Sequence, residues 1–324
     1  MRFADPTTEN PVVRLTSPAY AHILPAPGNR FLSLKPRILC CSSDRLNGRL
    51  APFQVDLRTG VLRPIAETRA LDPSSLTLDA QTRFLYFLDG GSLVEAALTG
   101  KRESKRVEVL AREVTTFGMG SSRAELFSIS AGKLQQIQAD SPLVVAEHAE
   151  GPCVVRPGGG GCLFSRPLGS EERELWYAAA SPSGQPILLA RGRVSDAWWS
   201  VGGRSVLFLR QVPKNNVFLS EVHEVVPEEG AEQCISTTTQ FAAFAPNGND
   251  SVFVGASRSK AQPNVVLLLR SPEREFTLCE HRATQPTEVR PAFSPDSRRV
   301  YFQSDREGKS AIYSVNVEQL IEPT

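Results

Sequence analysis

The feature that most restricts this chain is a repeat: short apolar strands separated by turn residues return through the 324 residues at intervals of roughly 40 to 47. The unit is clearest near the C-terminus, where residues 291–317 read PAFSPDSRRVYFQSDREGKSAIYSVNV. A short strand leads into a turn at Pro295, Asp296 and Ser297; a second strand covers 299–303, a turn 305–309, and a third strand 311–317. Runs rich in Val, Ile, Tyr and Phe between turn residues are what antiparallel hairpins require, so this is three-quarters of a four-stranded blade. The same grammar opens the chain over residues 37–45, 51–59 and 61–65. Both copies place Ser-Asp-Arg after the second strand, at Ser43, Asp44 and Arg45 and at Ser304, Asp305 and Arg306. An Asp there is expected to accept hydrogen bonds from backbone N–H groups of the following turn. Second strands recur, more faintly, at 83–87, 124–128, 162–165, 205–209 and 251–255. The prediction is an all-β chain: a seven-bladed β-propeller occupying residues 1–324 as a single domain.

The ends of the chain suit a ring. The last blade stops after its third strand at about Leu320, while an orphan strand, residues 11–16, precedes the first complete repeat. Pairing that strand outside residues 311–317 closes the ring and removes an exposed edge. No segment of helical period is needed.

Charge and cysteine usage exclude several functions. Lys and Arg number 36 against 35 Asp and Glu, so no global field exists to hold a nucleic acid. Residues 1–10 are polar, with Asp5 and Glu9, and lack the apolar core of a secretory signal; no later stretch approaches a membrane span. The expectation is a soluble, unexported, cytoplasmic monomer with no membrane partner. Six cysteines (Cys40, Cys41, Cys153, Cys162, Cys234, Cys279) lie without a C-x-x-C pair, mostly in apolar runs, as buried reduced thiols do.

The C-terminal unit resembles the PD40-type, WD40-like repeat of TolB-type propellers. The opening VVRLTSPAYAH, followed by SSDRLNGRLAPFQVDLRTG, resembles more narrowly the oligogalacturonate lyase branch. The resemblance covers about the first 65 and last 40 residues, with only blade grammar between. It implies β-elimination of acidic pectin fragments, assisted by a divalent cation, typically manganese, held by histidines and a glutamine at the channel mouth. The cation withdraws charge from the uronate carboxylate, and a basic side chain removes the adjacent proton. The family's Gln-x-x-His-x-His-Pro segment corresponds to Gln285-Pro-Thr-Glu288-Val-Arg290-Pro291. Gln and Pro persist, while Glu288 and Arg290 replace the histidines. Aligning residues 244–248 with 293–297 places Phe241 where a further imidazole is expected. The resemblance matches the family base to Arg210, whose permanently charged guanidinium is a poor proton acceptor.

From the residues themselves, Gln285, Glu288 and Arg290 form a polar cluster beside the axis. A carboxylate and an amide oxygen offer weak ligands to a hard cation, and Arg290 offers a fork to a carboxylate; an internal Glu–Arg pair is the competing reading. Asp196 and Asn29 hold equivalent places in the fifth and first blades, and His22 lies in the first loop. Trp198 and Trp199 alternate on the fifth inner strand and read as packing between blades rather than as sugar platforms. His148, His223 and His281 form no H-x-x-x-H pair. Gly158 to Gly161 read as a tight turn, since no Gly-Lys-Ser/Thr or helix follows. The basic residues 101–106 read as a solvated turn.

These readings favour a propeller that binds an acidic saccharide or a protein through its channel face, with a degenerate metal site, no required cofactor, and ligand-binding residues Gln285, Glu288, Arg290, Asp196, Asn29 and His22. An active manganese-dependent lyase using Gln285 and Glu288 is the rival, and a protein-interaction scaffold the third possibility.

Overall fold

In four of the repeats the turn leaving the innermost strand is capped from within by a side chain. Asp79 Oδ1 accepts from the N–H groups of Arg83 and Phe84 at 2.6 and 2.8 Å. Asn247 Oδ1 accepts from Ser251 and Val252 at 3.0 and 3.1 Å. Ser200 and Ser294 take the N–H groups of Ser205 and Arg299, each at 3.0 Å. Such side chains satisfy turn donors that would otherwise be left unpaired near the core.

In the computed structural model, which describes residues 1–35, 37–98, 107–138, 141–181, 184–215, 217–238 and 240–320, these units form seven antiparallel sheets. The basic cluster 101–106 lies outside the described residues. The sheets follow one another around a central channel as the blades of a propeller. Blade 1 comprises His22–Ile23, Leu32–Leu34, Arg37–Leu46, Arg49–Asp56 and Leu62–Pro64. Blade 2 runs from Thr77–Leu78 to Val107–Ala111 and blade 3 from Val114–Met119 to Leu143–Glu147. Blade 4 runs from Glu150–Val155 to Ile187–Gly192, blade 5 from Val194–Trp199 to Glu232–Thr238, and blade 6 from Phe241–Pro246 to Arg274–Glu280. Blade 7 combines Ala292–Phe293, Arg299–Ser304 and Ala311–Asn316 with two N-terminal strands, Pro11–Arg14 and Arg2–Ala4. The seven expected second strands all occupy that position. Helical structure among the described residues is limited to two short 3₁₀ turns, Arg123–Glu125 and Pro286–Glu288, and no helix there is long and apolar enough to cross a membrane.

Ring closure occurs as expected: Val12 pairs with Val315, Val13 with Ser314 and Arg14 with Tyr313. The first ten residues also contribute, because Arg2–Ala4 adds a further strand to Pro11–Arg14. The loop of this hairpin docks on blade 6: Thr8 Oγ1 and Asn10 Nδ2 donate to Leu278 O at 2.8 and 2.9 Å, and Asp5 Oδ2 accepts from Glu280 N at 2.8 Å. Val12, fully buried, joins Leu267 of blade 6 and Val300 and Tyr313 of blade 7 in one apolar cluster.

The Ser-Asp-Arg motif works differently from the sequence reading. Asp44 Oδ1 accepts from Ala21 N at 2.8 Å and Asp305 Oδ1 from Thr284 N at 2.8 Å, so each Asp ties down the backbone approaching its blade's inner strand. The following turn is served by the serines, with Arg45 N donating to Ser43 Oγ and Arg306 N to Ser304 Oγ. Inner strands are fastened by the tryptophans. Trp198 Nε1 donates to Phe244 O in blade 6 and Trp199 Nε1 to Val154 O in blade 4, each at 3.0 Å. Residues 158–161 form the turn between the first two strands of blade 4. Gly161 is obligatory there: a Cβ would fall 2.2 Å from Ala178 O. All six cysteines are free thiols, and Cys234 alone is exposed.

Removing residues 1–16 strips blade 7 of two strands and leaves a long unpaired edge. The expected result is a stability loss of roughly 3–5 kcal/mol, read by chemical denaturation; an unchanged unfolding curve would show that the hairpin does not hold the ring.

Candidate functional site

The channel mouth is organised by a strap. His22–Ile23 and Leu32–Leu34 both pair with Arg37–Leu46, and residues 24–31 leave the sheet between them. Their sequence, LPAPGNRF, explains the departure: Pro25 and Pro27 lack ladder donors, and Gly28 adopts φ of +89°. The strap reaches several blades. Ala26 N and Asn29 Nδ2 donate to Ser74 O, before the inner strand of blade 2, at 2.8 and 3.1 Å. A Cβ on Gly28 would lie 3.5 Å from Val154 in blade 4. Leu24 is bracketed by blade 7, its N–H donating to Gln303 Oε1 at 2.6 Å and its carbonyl accepting from Arg290 Nη1 at 2.5 Å.

Arg290 is therefore a tether. Besides Leu24, its Nη2 donates to Glu288 Oε2 at 2.8 Å and to Ser74 Oγ at 3.2 Å. Its backbone is left-handed, with φ of +47°. Glu288 ends the 3₁₀ turn whose N-cap is Gln285, and Gln285 and Glu288, both exposed, line a cavity of about 240 Å³ with Gln303, Ser304 and Asp305. The structure thus gathers Asn29, Glu288 and Arg290 around Ser74 and the strap, with Gln285 on the adjoining wall.

Asp196 belongs to a second cavity of about 230 Å³, lined by Ala26 and Pro27 of the strap, Pro152, Ser165, Arg173 and Leu175 of blade 4, and Val194 to Ala197 of blade 5. A bulge in the inner strand between Ser195 and Trp198 presents Asp196, at φ of +46°. Its Oδ2 accepts from Phe244 N at 3.0 Å. The surrounding protein desolvates the carboxyl and raises its pKa to about 6, against the opposing pull of the Phe244 N–H, Arg290 and Arg173.

The other sequence-predicted residues lie apart from this cavity. Arg210, on the second strand of blade 5, forks onto Glu232 at 2.8 and 2.7 Å and donates to Arg191 O at 2.8 Å. His22 is fully buried, and neither ring nitrogen has a hydrogen-bond partner among the described residues. Burial holds its pKa down at about 4, with Asp44 pulling upward and Arg45 downward, so the ring is neutral at pH 7. His281 is buried between Ser257 O, 3.0 Å from Nε2, and Ala283 N, which donates to Nδ1 at 3.0 Å. Nε2 must therefore carry the proton. Phe241 is buried with its ring against Gly255, where a Cβ would approach it to 2.4 Å. His148 is exposed, at φ of +55°. His223 sits between Glu221 and Glu232 on blade 5, opposite Cys234, an association that no local sequence motif announces.

These residues do not fit a manganese centre of the lyase kind. The carboxylate of Glu288 is taken by a guanidinium, that guanidinium is fastened to the strap, and Phe241 supplies a hydrocarbon ring. A fixed positive charge opposes a cation, and no imidazole adjoins Gln285 in its cavity.

Comparison with solved structures identifies the architecture. An oligogalacturonate lyase in complex with manganese matches with a TM-score of 0.83 at 14% identity, over 98% of this chain and 95% of that one. The oligogalacturonate lyase of Vibrio parahaemolyticus matches at 0.82 and 16%, over 98% and 96%. The fold is that of an oligogalacturonate lyase-like propeller. The β-propeller domain of Cps50 (Swd1) from Myceliophteria thermophila is more distant, at 0.61 and 13%, over 92% and 99%. No family model and no curated protein matches the sequence. The similarity resides in the backbone, and the chemistry is set by the side chains just described.

The raised pKa of Asp196 has a signed consequence. An acid whose folded pKa exceeds its unfolded value of 3.8 favours the fold while protonated; that contribution is complete below about pH 4 and lost as pH rises through about 6. Asp196→Asn keeps an oxygen for the Phe244 N–H and removes the ionisation. Allowing for the residue's partial exposure, it should stabilise the protein by about 1–2 kcal/mol at pH 8 and little at pH 4. Denaturation at both pH values checks this, and an equal effect at both would assign the change to packing.

Proposed function

We propose that the cavity between the strap and blades 4 and 5 binds the carboxylate-bearing end of an acidic oligosaccharide, without metal-assisted elimination. The reading is carried by a division between two guanidiniums. Arg290 is consumed by Glu288, Leu24 O and Ser74 Oγ, whereas Arg173, exposed and in no ion pair among the described residues, borders the cavity beside Asp196.

A guanidinium receives a uronate carboxylate through two parallel hydrogen bonds, which fixes orientation as well as charge. The ring carbons of the sugar meet Pro27, Pro152 and Leu175, while Ser165 and Ser195 offer hydroxyls. At about 230 Å³ the cavity suits a terminal sugar rather than an oligosaccharide lying through it. Asp196 adds a pH dependence. Its protonated form donates a hydrogen bond to the ligand, and its ionised form repels a carboxylate, so binding strengthens as pH falls through about 6. Elimination demands an acidified C–H and a base. The polar groups lining the cavity orient and hold a ligand but offer neither an imidazole base nor an imidazole ligand set for a cation.

Calorimetry of the full chain with trigalacturonate tests this reading. Binding is expected at pH 5.5 to be stronger than at pH 8, and Arg173→Ala should weaken it about tenfold or more. No ultraviolet-absorbing unsaturated product should accumulate with or without manganese. Manganese binding at about micromolar affinity, lost in Gln285→Ala, would overturn the reading in favour of a working lyase.

A further inference from the structure

On the far side of blade 5 from the channel, three potential metal ligands converge. The third strand, Val217–Val225, carries Glu221 and His223, and the outer strand, Glu232–Thr238, carries Glu232 and Cys234. His223 is directly opposite Cys234 in the ladder, and Glu221 lies two residues back, on the same face by strand alternation. One ligand atom each from Glu221, His223 and Cys234 lies within 4.8 Å of the others, and His223 Nε2 is 2.9 Å from Glu221 Oε2.

The groups behind the histidine are placed where they could support a metal-bound imidazole. His223 is only 8% exposed and stacks on Phe208, with centroids 5.7 Å apart. Its other nitrogen, Nδ1, is 2.7 Å from Glu232 Oε1, and Glu232 is gripped by both Nε and Nη2 of Arg210. Arg210 is itself anchored to Arg191 O in blade 4. In the metal-free chain the hydrogen bond of the ring is made by Nε2 to Glu221, while Nδ1 is close to Glu232 without hydrogen-bond geometry. A small rotation of the ring would let Nδ1–H meet Glu232 and free the Nε2 lone pair for a metal, with Arg210 holding that carboxylate in place. The charges also balance. Arg210 cancels Glu232, so the Glu221 carboxylate and a Cys234 thiolate remain to neutralise one divalent ion.

We propose that Glu221, His223 and Cys234 form a Zn²⁺ site, with Glu232 and Arg210 as its supporting shell. Thiolate, imidazole and carboxylate together are a borderline donor set that suits zinc rather than magnesium or calcium. Zinc bonds of about 2.0–2.3 Å at tetrahedral angles set ligand atoms roughly 3.3–3.7 Å apart, so the Glu221–His223 hydrogen bond must open slightly while rotation of the exposed Cys234 side chain brings its sulfur in. Three protein ligands leave the fourth position of the tetrahedron to water. On binding, Cys234 releases its thiol proton to solvent, and the sulfur pair forms the metal bond. This site is separate from the channel cavity, and its success or failure leaves the saccharide reading untouched.

The test is titration of the metal-free full chain with Co²⁺ and then Zn²⁺. One equivalent of cobalt should give the visible bands of tetrahedral coordination and a near-ultraviolet thiolate-to-cobalt band, both erased by one equivalent of zinc. Cys234→Ser should remove the thiolate band, and His223→Gln should abolish tetrahedral binding. Glu232→Gln and Arg210→Gln, which touch no metal, should weaken affinity about 10- to 100-fold. Circular dichroism confirms that each variant remains folded; exposed Cys234→Ser carries the decision if His223→Gln does not. Absence of binding at micromolar metal, or a cobalt spectrum indifferent to Cys234→Ser, overturns the proposal.

Discussion

The structure depends first on the pairing of Pro11–Arg14 with Ala311–Asn316, because a propeller has a channel only if its ring is shut. Six of the sheets are complete within consecutive sequence, but blade 7 is built from the two ends of the chain. Closure is reinforced where it would otherwise open. Thr8, Asn10 and Asp5 bind backbone groups of blade 6, and Ile312 N donates to Thr16 Oγ1 as the strand departs. Hydrogen bonds to strand backbone are satisfied without competing for the core, so the polar N-terminal residues add order at a place where apolar ones would have invited another chain.

Closure also sets the character of the channel mouth. Blade 7 carries Arg290 and Gln303 to opposite sides of Leu24, so the strap from blade 1 is held by a blade more than 260 residues away. The guanidinium suits this role because it spreads several donors in a plane, reaching Leu24 O, Ser74 Oγ and Glu288 at once. An imidazole has two ring nitrogens and could not span those acceptors. The guanidinium that fits the strap also places a fixed positive charge beside Glu288, which opposes a cation there. At position 241 the fit is made on Gly255, whose missing side chain leaves room for a phenyl ring.

Legibility in the sequence followed the range of the interaction. Second strands were readable because alternation and flanking turns are local, and ring closure was readable because blade 7 lacked a strand that the N-terminus had to spare. The Arg2–Ala4 strand was hidden: it is only three residues long and defined by its partner. For Asp44 and Asp305 the bonding capacity was foreseen but its direction was not, since Ala21 and Thr284 lie some twenty residues upstream. Trp198 and Trp199 were assigned to packing from alternation, and each fastens a different neighbour. The strap had a local signature in LPAPGNRF, but its partners are set by the closed ring. The grouping of His223 with Cys234 and Glu221 depends on a hairpin register shifted by a bulge, which no spacing rule reveals.

Blade 5 shows why a backbone match near 15% identity leaves chemistry open. Its inner strand bulges to present Asp196 to the channel, while its second strand turns Arg210 away, toward Glu232 and Arg191 O. Val194, at the start of that inner strand, pairs with Arg210. The position matched to a catalytic base is thus two residues in register from the channel carboxyl, yet its side chain serves the other region of the blade. A blade exposes different strands to the axis and to the rim, so neighbouring residues of one blade can serve separate regions. Arg210 illustrates the physical condition for this: a permanent cation is a poor base but a strong partner for a carboxylate, and Glu232 lies within reach of both its Nε and Nη2.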